Sequence, residues 1–236
     1  MSDGSPAGVM AVVIPARNEA DRIQATVTAA ARLPGVELVV VVDDGSRDGT
    51  ATVARRAGAA VMRHARSRGK GAAMETGAEA VRLLDQREHR DAPRHLLFLD
   101  ADLADTAALA GPLADPVIAG TADMTIAIFA STVKLGGHGL VVGLSGAGIR
   151  RATGWQPTQP LNGQRCLTRA AFEAARPLAH GWGAETGLTI DLLRRGLRIT
   201  EVEVELAHRA TGTGVRAQLH RAHQFADVAR ALAARL

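Results

Sequence analysis

Two carboxylates separated by one small residue, Asp100-Ala101-Asp102, follow directly on the apolar run Leu96-Leu97-Phe98-Leu99. A run of that kind without a helical gap reads as a strand buried on both faces, and alternation along an extended backbone turns Asp100 and Asp102 the same way. Both can then face one divalent cation and, through it, a diphosphate. The plain alternative is a surface turn in which two aspartates end a strand. Three other polar loops deserve comparison with this one: Pro15-Ala16-Arg17-Asn18-Glu19, Asp43-Asp44-Gly45-Ser46-Arg47-Asp48 and Ser67-Arg68-Gly69-Lys70.

The elements between these loops explain why they belong together. Val9 to Ile14 and Glu37 to Val42 are apolar strands, each followed by a helix-compatible segment, Glu19 to Leu33 and a stretch ending near Ala57. A short strand, Ala60 to Arg63, leads through Gly69-Lys70-Gly71 into a helix reaching about Leu84. Strand, loop and helix recur at intervals of about 25–30 residues, the signature of a parallel sheet with helices on its faces. Ligands in such sheets bind beyond the carboxyl ends of the strands, which puts all four loops on one edge.

Beyond Asp102 the pattern predicts a helix over Thr106 to Ala114 and a strand over Asp123 to Phe129. The glycine-rich, apolar stretch Leu135 to Thr153 reads as a mobile lid, a surface-seeking helix or a helix packed on the sheet. A turn and short strand follow from Thr158 to Leu167, then a helix capped by Thr168, another opening at Glu185, and an alternating strand from Arg198 to Leu206. The chain closes on a basic amphipathic helix, Val215 to Leu236. We expect one domain over residues 1–236, with halves at 9–105 and 106–236.

Composition narrows the partners. The 236 residues are 47% hydrophobic with a mean hydropathy near zero, as in a globular protein with a substantial core. No run reaches the roughly 20 apolar residues of a membrane span, and the first eight residues lack the apolar centre of a signal peptide, so a cytoplasmic protein is expected. The single Cys166 excludes an internal disulfide. A net charge of +4 favours anionic partners, while six aromatic side chains and no tyrosine argue against nucleic acid.

Taken in order, the loops 13–19, 41–50, 69–71 and 100–102 resemble the nucleotide-sugar-binding half of the family 2 glycosyltransferases, which have the GT-A fold. The resemblance implies an α/β architecture with a mostly parallel, Rossmann-like sheet and a smaller acceptor-side region. It also implies a hexose transferred from UDP-glucose or a GDP-sugar. Pro15, Ala16, Arg17, Asn18, Glu19, Asp44, Gly45, Ser46, Lys70, Asp100, Ala101 and Asp102 would then bind the nucleotide sugar. Asp44 can accept from the N–H groups of uracil or guanine, and Lys70 can reach a phosphate. By the same resemblance Asp102 would hold Mg²⁺ or Mn²⁺, which assists departure of the nucleoside diphosphate. Arg17 stands where many relatives carry an apolar or aromatic residue next to the base.

The second half, with Pro160 to Arg165, Gly183 to Leu188 and Ala207-His208-Arg209, resembles glucosyl-3-phosphoglycerate synthases and, more loosely, polyprenyl-phosphate sugar transferases. By that resemblance His208 completes the metal site with Asp102, and Glu185 faces the transferred sugar or the acceptor hydroxyl, as a base in an inverting enzyme or a positioning group in a retaining one. Asn162, Gly163, Gln164 and Arg165 are expected to bind an anionic acceptor such as 3-phosphoglycerate, since a guanidinium matches a carboxylate or phosphate bidentately; Lys134 is a secondary candidate. The rival acceptor is a polyprenyl phosphate, with peripheral contact at the inner face of the membrane through Leu135 to Thr153 and the last helix. That helix can also pack between subunits of a homodimer. A nucleotidyltransferase would carry a glycine-rich, arginine-containing loop after the first strand, which Pro15 to Glu19 is not. A non-catalytic nucleotide-sugar-binding protein would bind donor without transfer.

Overall fold

In a computed structural model, which describes residues 9–129, 139–206 and 215–236, the chain alternates strand and helix through its first hundred residues. In order come β1 (Met10–Ala16), α1 (Ile23–Ala30), β2 (Val36–Asp43), α2 (Thr50–Arg56), β3 (Ala60–Arg63), α3 (Lys70–Arg87) and β4 (His95–Phe98). The second half contributes α4 (Asp115–Ile118), β5 (Met124–Phe129), α5 (Gly139–Thr153), β6 (Arg165–Leu167) and α6 (Arg169–Ala175). It closes with α7 (Ala184–Arg194), β7 (Ile199–Val204) and α8 (Val215–Ala233). The strands form one seven-stranded sheet in the order β3-β2-β1-β4-β6-β5-β7. Only β6 runs against its neighbours, pairing antiparallel with both β4 and β5.

Strand β1 shows why its sequence has no polar positions. Met10, Val12 and Ile14 pack on one face with Ile23 and Val27 of α1 and Ala54 of α2. Ala11 and Val13 belong to the other face, with Ala73, Met74 and Val81 of α3. Both faces are covered, so period-two alternation of polarity disappears. At the crossing of α3 over β1 and β2, a Cβ on Gly77 would lie 2.3 Å from Val13 Cγ1 and 3.2 Å from Val42 Cγ2. Glycine there sets the distance between helix and sheet.

Three expectations shift. Residues 19–22 are not part of α1, because the backbone N–H groups of Glu19 and Ala20 donate to Thr50 Oγ1 and Asp48 Oδ2 across the neighbouring loop. The helix expected over Thr106 to Ala114 is instead two short 3₁₀ turns, Ala104–Leu109 and Gly111–Leu113. Pro112 lacks the N–H that a continuous α-helix needs there. Residues 139–153 do form a helix, packed through Val141 and Ile149 against Ile190, Val228 and Leu232 of α7 and α8 rather than on the sheet. Leu140 on that helix is 83% exposed. Among the described residues no helix is long and apolar enough to cross a membrane.

Replacing Gly77 by alanine should cost about 1–3 kcal/mol through overpacking of α3 against β1, measured as a lower midpoint of urea unfolding.

Candidate active site

The carboxyl-end edge of the sheet is assembled by its own loops. Asn18, at φ +57°, donates its backbone N–H to Ser46 Oγ at 2.9 Å and accepts from Arg47 N–H at 2.9 Å. Asp43 is fully buried and accepts from the backbone N–H of Ser46. Gly45 adopts φ +72°, and a Cβ there would sit 2.7 Å from the backbone N of Ser67. The loop after β3 therefore passes directly over Gly45, where only glycine fits.

Asp44 holds that passing loop. Its Oδ1 meets His64 Nδ1 at 2.6 Å and the N–H of Arg68 at 2.7 Å, while Oδ2 accepts from Ser67 Oγ at 2.7 Å and the N–H of Gly69 at 3.0 Å. These four contacts fill the acceptor capacity of one carboxylate. Asp44 thus anchors the turn that delivers Lys70, and a base N–H, expected to donate to Asp44, finds its acceptor sites already taken in this arrangement. His64 Nε2 continues the chain to Thr76 Oγ1 at 2.9 Å.

Lys70, the first residue of α3, is the point where the halves of the chain meet. Its Nζ lies 2.8 Å from Asp100 Oδ1 and 2.9 Å from Glu185 Oε1, with the Trp182 ring centroid 5.8 Å away. Burial alone would lower the ammonium's pKa, but the two carboxylates outweigh it and hold Lys70 charged far above neutral pH. Glu185 is 1% exposed, and its Oε2 has no hydrogen-bond partner among the described residues. A Cβ on Gly163 would fall 2.2 Å from Lys70 Nζ and 3.0 Å from Asp100 Oδ1. The 160–165 loop therefore lies against this pair with no room for a side chain.

Strand β4 ends at Phe98, so Asp100 to Asp102 form a turn, not an extended continuation. Thr26 Oγ1 of α1 donates to the carbonyl of Ala101 and accepts from the N–H of Ala104, each at 2.8 Å. Arg22 reaches the carbonyl of Asp102 at 3.2 Å, and Ala104 is held at φ +49°. Two partly exposed carboxylates in one fixed turn present the hard oxygen donors that suit Mg²⁺ or Mn²⁺. Among the described residues, no group of three or more His, Cys, Asp or Glu side chains completes such a site.

Comparison with known proteins identifies the family. A model of glycosyl transferase family 2 matches residues 11–139, more than half of the chain. The chain belongs to glycosyl transferase family 2. Glycosyltransferase AglJ of Haloferax volcanii is 31% identical over 206 residues, which make up 86% of this chain and 64% of that protein. An uncharacterized protein of Methanocaldococcus jannaschii, MJ1222, is 37% identical over 91 residues, 39% of this chain and 34% of the other. The family 2 chain thus spans less than two thirds of the length of either relative.

Among solved structures, glucosyl-3-phosphoglycerate synthase of Mycobacterium tuberculosis with phosphoglyceric acid superposes with a TM-score of 0.76 at 24% identity, over 97% of this chain and 80% of that one. The same synthase with Mn²⁺, UDP-glucose and phosphoglyceric acid also gives 0.76 at 24% identity, over 97% and 79% of the two chains. The fold of this family 2 chain is GT-A.

The acceptor-side residues divide. Arg165, expected to grip an anionic acceptor, is completely buried. It donates to the carbonyls of Asn162, Glu185 and Pro160 and to Thr189 Oγ1, all within 2.8–3.0 Å. With its donors spent on backbone and burial pushing its pKa down to about 10, Arg165 fastens the 160–165 loop to α7 and does not face an acceptor. Asn162 shapes the same loop, accepting from the N–H of Gln164 and donating to Gln159. Gln164 is fully buried, and its side-chain amide lacks a partner among the described residues. Lys134 and His208 lie outside the described residues. Pro15 and Glu19 are partly exposed on the edge, Ala16 is buried and Arg17 is exposed. Sequence reasoning passed over His64, Thr26 and Trp182; the position of His64 directly after β3, on the same sheet edge, was the available signal.

Two outcomes follow from these contacts. A Gly163→Ala substitution should displace Lys70 and Asp100 and lower turnover by about a hundredfold with an unchanged circular dichroism spectrum, since a misplacement near 1 Å is enough. Burial raises the Asp44 carboxyl, but donors from Arg68, His64, Ser67 and Gly69 outweigh it and hold it below its ordinary 3.8. A depressed carboxylate adds stability above its unfolded value that is lost as pH falls through the folded one. Urea unfolding should therefore show stability declining below about pH 4, with a shallower decline in Asp44→Asn.

Proposed function

We propose that this chain transfers a hexose from a nucleoside diphosphate sugar, UDP-glucose or a GDP-sugar, to a small anionic acceptor such as 3-phosphoglycerate. One observation carries the reading: Lys70 joins Asp100 of the donor half to Glu185 of the acceptor half, with Gly163 pressed against the pair. A donor diphosphate and an acceptor hydroxyl both have to reach such a junction. The bound species in the M. tuberculosis synthase structures, UDP-glucose and phosphoglyceric acid, support the same pairing of substrates.

The residues divide the work as follows. Lys70 donates to Asp100 and forms an ion pair with Glu185, and its remaining N–H donors suit a phosphate oxygen of the leaving diphosphate. Charge is thereby placed where it develops during transfer, in a site that is largely dry. Glu185 Oε2, buried and without a protein donor among the described residues, is the atom to accept from a hydroxyl of the transferred sugar or the acceptor. If that hydroxyl is the nucleophile, Glu185 takes its proton; if it belongs to the donor sugar, Glu185 orients the ring. Asp102 and His208, with Asp100 alongside, would hold Mg²⁺ or Mn²⁺, which when bound supplies Lewis-acid stabilisation of the diphosphate. A lipid-linked acceptor is the second reading, favoured by Leu140 standing 83% exposed on α5.

Calorimetric titration with UDP-glucose and GDP-mannose, with and without Mn²⁺, tests the donor. One should bind in a metal-dependent manner, and Lys70→Met should weaken it by about tenfold or more. Transfer is then measured in detergent-free buffer with 3-phosphoglycerate, where Glu185→Gln should lower kcat more than it raises the donor KM. Failure of both donors to bind, together with an unaltered Asp102→Ala protein, would falsify the assignment. Turnover with polyprenyl phosphate alone would move the acceptor to the lipid, and donor binding without any transfer would leave a binding protein.

A further inference from the structure

A second cluster of polar groups lies at the opposite edge of the sheet, where α3 ends and β4 begins. A cavity of about 370 Å³ opens there, lined by Arg82, Asp85, His89, Arg90, Arg169 and Glu173, among others. Arg169 is only 7% exposed. Its Nη1 donates to the carbonyl of Ala78 at 3.0 Å, yet Nε and Nη2 are buried with no hydrogen-bond partner among the described residues. The carboxylates around it are too far away to satisfy that side. Asp85 Oδ2 is 3.8 Å from Nη2 and Glu173 Oε1 is 3.6 Å from Nη1.

Three other arginines turn the same Nε–Nη2 side on a carboxylate. Arg82 directs Nε and Nη2 at Glu79, Arg198 at Asp123, and Arg235 at Asp191, in every case at 3.2 Å or less. Two parallel N–H groups at this spacing match the oxygens of a carboxylate or phosphate. The nearby acids are committed elsewhere. Asp85 accepts from Arg94 through both oxygens, and Glu173 Oε2 takes a hydrogen bond from Arg176. Arg90, bound to Glu37 through Nη1, also has a buried Nε without a partner among the described residues. His95 feels the same charge: burial first, then the Arg169 guanidinium, holds its pKa below the ordinary value.

We propose that this cavity is a binding site for a small oxyanion, a carboxylate or phosphate group gripped bidentately by Nε and Nη2 of Arg169 and assisted by Nε of Arg90. The site is separate from the transferase edge. Arg82 and Lys70 stand twelve positions apart on α3, about 18 Å along its axis. An anion here would neutralise a guanidinium that is desolvated without full compensation, so its occupancy stabilises the junction of α3, α6 and β4.

Arginine Nε–H resonances in ¹H–¹⁵N spectra of the full chain read the site directly. Titration with inorganic phosphate and, separately, acetate should give saturable shifts of the Arg169 and Arg90 Nε–H signals, and the anion saturating at lower concentration identifies the class. Arg169→Lys, which keeps the charge and loses the fork, should weaken binding by about tenfold or more. Because that change also touches the Ala78 contact, Arg90→Lys provides a second variant, with a smaller weakening expected in a protein that still folds. Shifts that never saturate, that chloride reproduces at equal ionic strength, or that both variants leave unchanged would overturn the proposal. Persistence of the shifts in Lys70→Met separates this site from the diphosphate site, and their loss there would count against it.

Discussion

The ammonium of Lys70 sits largely out of water between two carboxylates, and the arrangement of the site depends on keeping it there. Removing a cation from solvent is costly unless its partners are close and fixed, and neither Asp100 nor Glu185 is its neighbour in sequence. One comes from the turn after β4, the other from the first turn of α7. Helix α3 must therefore start at the place where those two elements converge. The absence of a side chain at Gly163 lets the 160–165 loop lie over the pair without prying it apart.

The loops of the donor edge are built to meet that requirement before any ligand arrives. Asp44 spends its whole carboxylate on the turn preceding Lys70. Thr26 does the same for the turn carrying Asp100 and Asp102, with one hydroxyl serving as donor and acceptor. Such side-chain contacts to backbone fix loops that no strand or helix restrains. The edge behaves as a frame in which helix starts are positioned by residues from adjacent loops. Preorganisation of this kind keeps the cost of ordering the site out of the binding step.

How much of this was legible in the sequence depends on whether a signal was local. The buried strands β1 and β2 announced themselves, since sheet faces covered on both sides demand uninterrupted apolar runs. The order of Asp44, Lys70 and Asp100 along successive strand ends placed them on one edge, and all three are found there. What each does was less legible. Asp44 has the residue type of a ligand contact, but its partners lie 20–25 residues downstream, in a loop whose path no local pattern encodes. Arg165 carries a charge that usually marks a surface, yet it is completely buried because carbonyls of three separate residues converge on it. Alanine-rich spacing over residues 106–114 imitated a helix that Pro112 interrupts. His64 and Thr26 have no distinguishing motif, and only the assembled edge gives them a role.

Strand β6 is the one member of the sheet that runs backwards. The loops that follow β1, β2, β3 and β4 each leave a strand at this edge. The 160–164 loop instead arrives before its strand, and its anchor, Arg165, lies on the downstream side. Its placement is thus set in part from within the sheet. Through Arg165 the reversed strand also ties this loop to the carbonyl of Glu185, so a single buried guanidinium sets two of the groups around Lys70.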